Sequence, residues 1–164
     1  MEANMTHYMQ LLATNQPWNL LMFMAIPVIL AETVAVTELF ILFGRQFSGG
    51  LRQVNKIAGI LVGIYFTFIF FYLLFTAVIP ITQAGQWRGF VDVVAVSFYL
   101  LGVIPLLGIA LLELGGVARS RSQVEKLWLH ATLVAVFLVV AHVAMIFGML
   151  NPTVFQAARM AMPR

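Results

Sequence analysis

Cysteine is absent from this chain, and charge is scarce: only 9% of its 164 residues are Asp, Glu, Lys or Arg. The first absence removes disulfides, thiolate metal ligands, cysteine nucleophiles and S-acylation together. The second does not suit a soluble domain, in which about a quarter of residues are charged. Recognisable catalytic motifs are missing too. There is no Walker A loop, GxGxxG, HExxH or GxSxG, so a hydrolytic or nucleotide-driven enzyme has nothing to stand on. The Glu-x-x-His repeats of a diiron bundle are also lacking. No Lys or Arg precedes the first apolar run and no small-residue cleavage site follows it, so that run is expected to stay as an anchor.

What is abundant is apolar: 62% of residues are hydrophobic and the mean hydropathy is +0.99. Four segments stand out, at residues 18–44, 57–79, 91–114 and 127–150. At about 1.5 Å per helical residue, each can cross a hydrocarbon core roughly 30 Å thick. The basic stretch from Arg45 to Lys56, Pro80, the pair Gly115-Gly116 and Pro152 are read as the stops between and after them. The expected fold is therefore all-α: an integral membrane protein with four transmembrane helices in an up-down bundle. Residues 1–17 form an external N-terminal segment, with an interfacial helix as one reading; 18–150 form the membrane domain; 151–164 form a short external tail.

The formal charge of +3 and the pI near 9.7 would suggest nucleic acid in a soluble protein. Here the bases flank apolar segments, so they are topology signals and no nucleic-acid partner is expected. Arg45, Arg52 and Lys56 lie between spans one and two; Arg119, Arg121 and Lys126 lie between spans three and four. The other side has only Arg88, Arg159 and Arg164. The positive-inside rule puts both basic loops in the cytoplasm and both termini outside, which is the periplasm for a multi-pass protein of a bacterial inner membrane.

Within the spans, carboxylates are the main functional suspects, because an unpaired charge at membrane depth is costly. Glu32 lies near the middle of span one with Thr33 and Thr37 nearby, and no base shares its depth. It is expected to be buried against another helix, that of a different subunit. Glu38 lies six residues on, a rotation of about 600° that turns it roughly 120° away from Glu32. At the depth of Glu38 come Glu113 and His130, and the three are expected to cluster, edged by Arg45 and Lys126. The cluster reads either as a polar network holding three helices or as a proton or metal site.

Other patterns are weaker. His142, Met145 and Met149 share one face of span four, and Met22, Met24 and His7 lie toward the same membrane side. Imidazole with thioethers suits copper(I) or an axial haem position, although methionine is also an ordinary filler of apolar gaps. Tyr65, Phe68, Tyr72 and Phe75 form an aromatic stripe that could face a haem or quinone, with His142 or His130 as the ligand. His130 and His142 lie about 18 Å apart on one helix, so they cannot both ligate one haem. No cofactor is the leading expectation. Gly59 and Gly63 make a GxxxG pair that permits close helix approach.

The functional expectation is a non-catalytic accessory or structural subunit of a larger membrane complex, whose partners are the bilayer and other copies or subunits. A small proton-coupled or soft-metal transporter is the first alternative, and a haem- or quinone-binding electron-transfer subunit the second. The topology is directly testable. Reporter fusions at Ser48 and Ser120 should read cytoplasmic and a fusion after Arg164 external; the opposite pattern would overturn the orientation.

Overall fold

The fold was analysed in a computed structural model, which describes residues 5–45, 48–118 and 120–153. The tail from residue 154 onward, with Arg159 and Arg164, and the loop residue Arg119 lie outside the described residues. A short helix α1 (His7–Ala13) precedes four long ones: α2 (Trp18–Gly44), α3 (Gly50–Gln83), α4 (Phe90–Glu113) and α5 (Gln123–Met149). All four long helices are long and apolar enough to span a membrane, and the chain is a multi-pass membrane protein. The connections are short, so consecutive helices run antiparallel. Both described termini lie at one end, called here the terminal end; the two basic connections lie at the loop end.

Proline shapes three of the helices without ending them. Pro80 does not stop α3, which continues to Gln83. A wide π turn at Leu74–Val78 precedes it, with the Ile79 N–H bonded to the Leu74 carbonyl. α2 repeats the arrangement: a π turn at Leu21–Ala25 lies just ahead of Pro27, and the Ile26 N–H bonds to the Leu21 carbonyl. An extra residue in the turn moves the backbone away from the pyrrolidine ring, which would otherwise clash with the carbonyl four residues back. In α2 the loosened carbonyls find side-chain donors. The Tyr99 hydroxyl donates to the Phe23 carbonyl at 2.6 Å, and the Tyr65 hydroxyl to the Met22 carbonyl at 3.0 Å. Such replacements are required where water cannot supply the bond. α4 pauses at Gly102, three residues before Pro105.

α3 and α4 approach closely at two glycines of α3. A methyl group built on Gly63 would sit 2.4 Å from the Leu106 carbonyl oxygen and 2.5 Å from Ala110 Cβ. On Gly59 it would meet Ile109 at 2.9 Å. In lipid the hydrophobic effect does not favour one helix neighbour over another, so such close van der Waals contact carries much of the association. The core beside it is built from Val34, Val62, Phe66, Leu106 and Ile109. α2 packs on α3, and α5 packs on α4, but α2 and α5 touch only sparingly. That leaves a seam along one side of the bundle.

α5 begins with a capping box: the Ser122 hydroxyl accepts from the Glu125 N–H, and the Glu125 carboxylate accepts from the Ser122 N–H. α1 packs across the terminal end, burying Leu12 and placing Tyr8 against Gly148. The Thr6 hydroxyl donates to the Gly148 carbonyl at 2.8 Å.

The glycine contact gives a direct test. Gly63→Ala meets backbone oxygen, which cannot swing aside, and should cost about 1–3 kcal/mol of bundle stability. Gly50→Ala, with open space around it, should leave thermal unfolding in detergent nearly unchanged. Equal melting of the two variants would show that the helices do not approach as closely as described.

Candidate functional site

The loop-end half of the bundle holds a connected set of polar groups from all four spans. Arg52, in the first turn of α3, donates through Nη2 to both carboxylate oxygens of Glu113 on α4, at 2.7 and 2.8 Å. Its Nη1 donates to Asn55 Oδ1 at 3.1 Å. Asn55 is completely buried, and its Nδ2 donates to Thr37 Oγ1 at 2.9 Å and to the Val34 carbonyl at 3.1 Å on α2. Thr37 directs its own hydroxyl at the Thr33 carbonyl, 2.6 Å away. A single asparagine thus joins an ion pair on two helices to the backbone of a third.

His130 on α5, 2% exposed, lies between two carboxylates. Its Nδ1 is 2.8 Å from Glu38 Oε2, and its Nε2 is 3.3 Å from Glu113 Oε1. Neither contact is aligned as a hydrogen bond: both oxygens of Glu38 and both ring nitrogens are buried without such a partner. Carboxylates can only accept, so the ring satisfies both neighbours when both nitrogens carry protons. In that state two carboxylates face one guanidinium and one imidazolium, and the cluster is electrically neutral. Beside it is a partly open cavity of about 330 Å³ at the loop end, lined by Arg52, Glu113, Lys126 and His130 among others.

The base at the edge of this cluster is Arg52, in place of the expected Arg45. α2 ends at Gly44, and Arg45 is an exposed cap residue in a left-handed conformation at φ 49°. Lys126 lines the cavity. Glu32 is exposed on the outside of the chain. The 120° rotation that turns Glu38 inward carries Glu32 out. Thr33 bonds back to the Ile29 carbonyl at 2.7 Å and does not cover it.

Glu32 lies at a crevice of about 170 Å³ on the seam between α2 and α5, which Met24, His142 and Met145 also line. His142 Nδ1 donates to the Leu138 carbonyl of its own helix at 2.6 Å. Because a carbonyl only accepts, the proton is on Nδ1, and Nε2 has no partner among the described residues. The other soft-ligand candidates lie elsewhere: Met22 and Met149 are exposed away from this crevice, and His7 pairs with Asp92. Among the described residues no group of three or more His, Asp or Glu is placed to hold a metal ion. The aromatic candidates do not form a cofactor face with either histidine. Phe68 is 72% exposed on the outside of α3; Tyr72 stacks on Phe23, and Tyr65 caps the Met22 carbonyl.

A second buried acid, Asp92, organises the terminal end. It is fully buried and accepts from the His7 N–H at 2.6 Å, from the Arg88 N–H at 3.1 Å, and contacts His7 Nδ1 at 2.6 Å. Arg88 reaches the Met5 carbonyl at 2.6 Å and also bonds Gln10 Oε1. Arg88 is therefore a tie for α1 as well as a loop base. Burial in the same region pushes the Tyr8 phenol up to about 12.

The chain belongs to a family of unknown function, DUF6803, which matches residues 3–163. No curated protein and no solved structure matches it.

If Asp92 holds α1 down, Asp92→Ala should release it at a cost of about 1–3 kcal/mol. Amide exchange across residues 7–13 should accelerate at least tenfold while the middle of α3 stays protected. Unchanged exchange in α1 would mean that Tyr8 and Leu12 alone seat the helix.

Proposed function

We propose that this chain is a non-catalytic subunit of a larger membrane assembly, oriented by its loop bases with both termini outside and the basic loops in the cytoplasm of a bacterial cell. The observation that carries the reading is Glu32. Among the described residues it has no hydrogen bond or ion pair, and it is exposed on an apolar surface at mid-span. A charged side chain at the centre of a spanning helix costs roughly 2.5–3.5 kcal/mol on insertion scales. A partner helix that offers a donor offsets that cost.

The surroundings of Glu32 suit helix packing better than a ready-made ligand pocket. The crevice volume of about 170 Å³ is well below the roughly 300–1,000 Å³ of small-molecule sites. Val28 and Val36, one turn before and after Glu32, are also exposed and complete a stripe along α2. The two helices flanking the seam are the least covered: 28% of the apolar window is buried in α2 and 22% in α5, against 39% in each of α3 and α4. The face that lacks a neighbour is the face that carries the carboxylate.

Native mass spectrometry from mild detergent or nanodiscs tests this. The wild type should carry partner chains or further copies of itself. Glu32→Gln keeps a donor and an acceptor and should assemble normally. Glu32→Leu should weaken association about tenfold, corresponding to the 1–2 kcal/mol of an interhelical hydrogen bond in membranes. If both variants assemble normally and only an ion- or proton-dependent activity disappears, the assembly account fails and transport replaces it.

A further inference from the structure

Glu38 and His130 lie in the opposite half of the bundle from the Glu32 crevice, and the following inference does not depend on the assembly reading. We propose that Glu38, His130 and Glu113 form a binding site for one exchangeable proton, loaded from the loop side through the cavity beside Arg52 and Lys126. The two carboxylates have different duties. Both oxygens of Glu113 accept from Nη2 of Arg52, and arginine stays charged in proteins, so Glu113 is pinned as a carboxylate. Glu38 has no such clamp. Its side chain is 4% exposed, and neither oxygen has a hydrogen bond.

The charged and titratable groups facing the imidazole are few. α2 supplies Glu38, α3 supplies Arg52, α4 supplies Glu113, and α5 itself supplies Lys126 at the cavity wall. Without the exchangeable proton, the contacting groups are two carboxylates, one guanidinium and a neutral ring, leaving one negative charge that only Lys126, at the wall of the partly open cavity and outside these contacts, is there to balance. With it, the charges of the contacting groups cancel. A buried unpaired charge costs several kcal/mol, so the cluster has reason to hold a proton and one place to hand it on.

The path has its parts in order. A cavity of about 330 Å³ has room for on the order of ten waters. His130 Nε2 is on the Glu113 side, and Nδ1 is 2.8 Å from Glu38 Oε2. A proton delivered by water to Nε2 allows the proton on Nδ1 to pass to Glu38, leaving the ring neutral and one proton added in total. The Glu38–His130 contact also bridges α2 and α5, which otherwise touch sparingly. Proton occupancy therefore bears on how firmly the seam is closed at this end.

The chain has three histidines, so nitrogen NMR of ¹⁵N-histidine-labelled protein in nanodiscs resolves the site, with His130→Gln assigning the signal. In the wild type, both ring-nitrogen shifts of His130 should move through one step as pH is varied. Glu38→Gln, which preserves size, should move that step to lower pH by a unit or more, a tenfold loss of proton affinity, while His7 is unaffected. A His130 signal that stays flat across the titration, or a step that ignores Glu38→Gln, would overturn the site. Leu127→Trp, which fills the cavity, should slow equilibration after a pH jump at least tenfold; an unchanged rate would overturn the route. Assembly measured on the same samples separates these outcomes from failure of the Glu32 reading.

Discussion

The missing side chain of Gly59 brings packing and polar chemistry to the same point. A methyl group there would meet Ile109 at 2.9 Å and lie 3.8 Å from both Glu113 Cγ and His130 Nε2. The glycine pair lets α3 lie directly on α4, and that approach sets Arg52 at the start of one helix within reach of Glu113 at the end of the other. Asn55, one turn beyond Arg52, then faces the Val34 carbonyl and Thr37 on α2. His130 enters the remaining space from α5. If α3 and α4 separated by the width of a methyl group, the Arg52–Glu113 fork would lengthen beyond hydrogen-bond distance.

The bundle is much less constrained on the opposite side. α2 and α5 close against each other through the Glu38–His130 contact at one end and through few contacts elsewhere. Between the ends is the crevice with Glu32 and His142. The π turn ahead of Pro27 loosens the backbone of α2 on the terminal side of that crevice, and Tyr99 and Tyr65 hold the loosened carbonyls from α4 and α3. α1 caps the same end through Asp92 and Gly148. The seam is thus pinned at two polar ends and left open to lipid or a partner helix in the middle.

Sequence periodicity makes the four helices legible, because a run of apolar residues of membrane length has few alternatives. Depth is legible as well: counting from span ends places Glu38, Glu113 and His130 at one level, and the structure brings those three together. Rotation is not legible. In a soluble helix the apolar stripe marks the inner face, but in lipid both faces are apolar, so nothing in the pattern says that Glu38 turns inward and Glu32 outward. Arg52 reads as an orientation signal because it lies in a basic loop, and its second role depends on the glycine contact. Asn55 and Asp92 are short polar residues near span ends, where a chain in water would leave them solvated. Asp92 is the only aspartate in the sequence and lies inside an apolar run, with His7 upstream on the same membrane side; that combination is the signal that was available.

The energetics of the loop-end cluster bear on why it exists at all. A buried ion network is poor value as a stabiliser, since well-packed apolar residues of similar volume hold helices together as well or better. The α3–α4 contact is already secured by Gly59 and Gly63, and nothing in its packing needs a charge. A network kept solely for structure would also leave no buried polar atom without a hydrogen bond, as holds for the side chains of Arg52, Asn55 and Thr37. Glu38 and His130 leave theirs open, next to a cavity and at a contact that bridges α2 and α5. The part of the network that is fully bonded sets the geometry, and the part that is not is free to change its protonation.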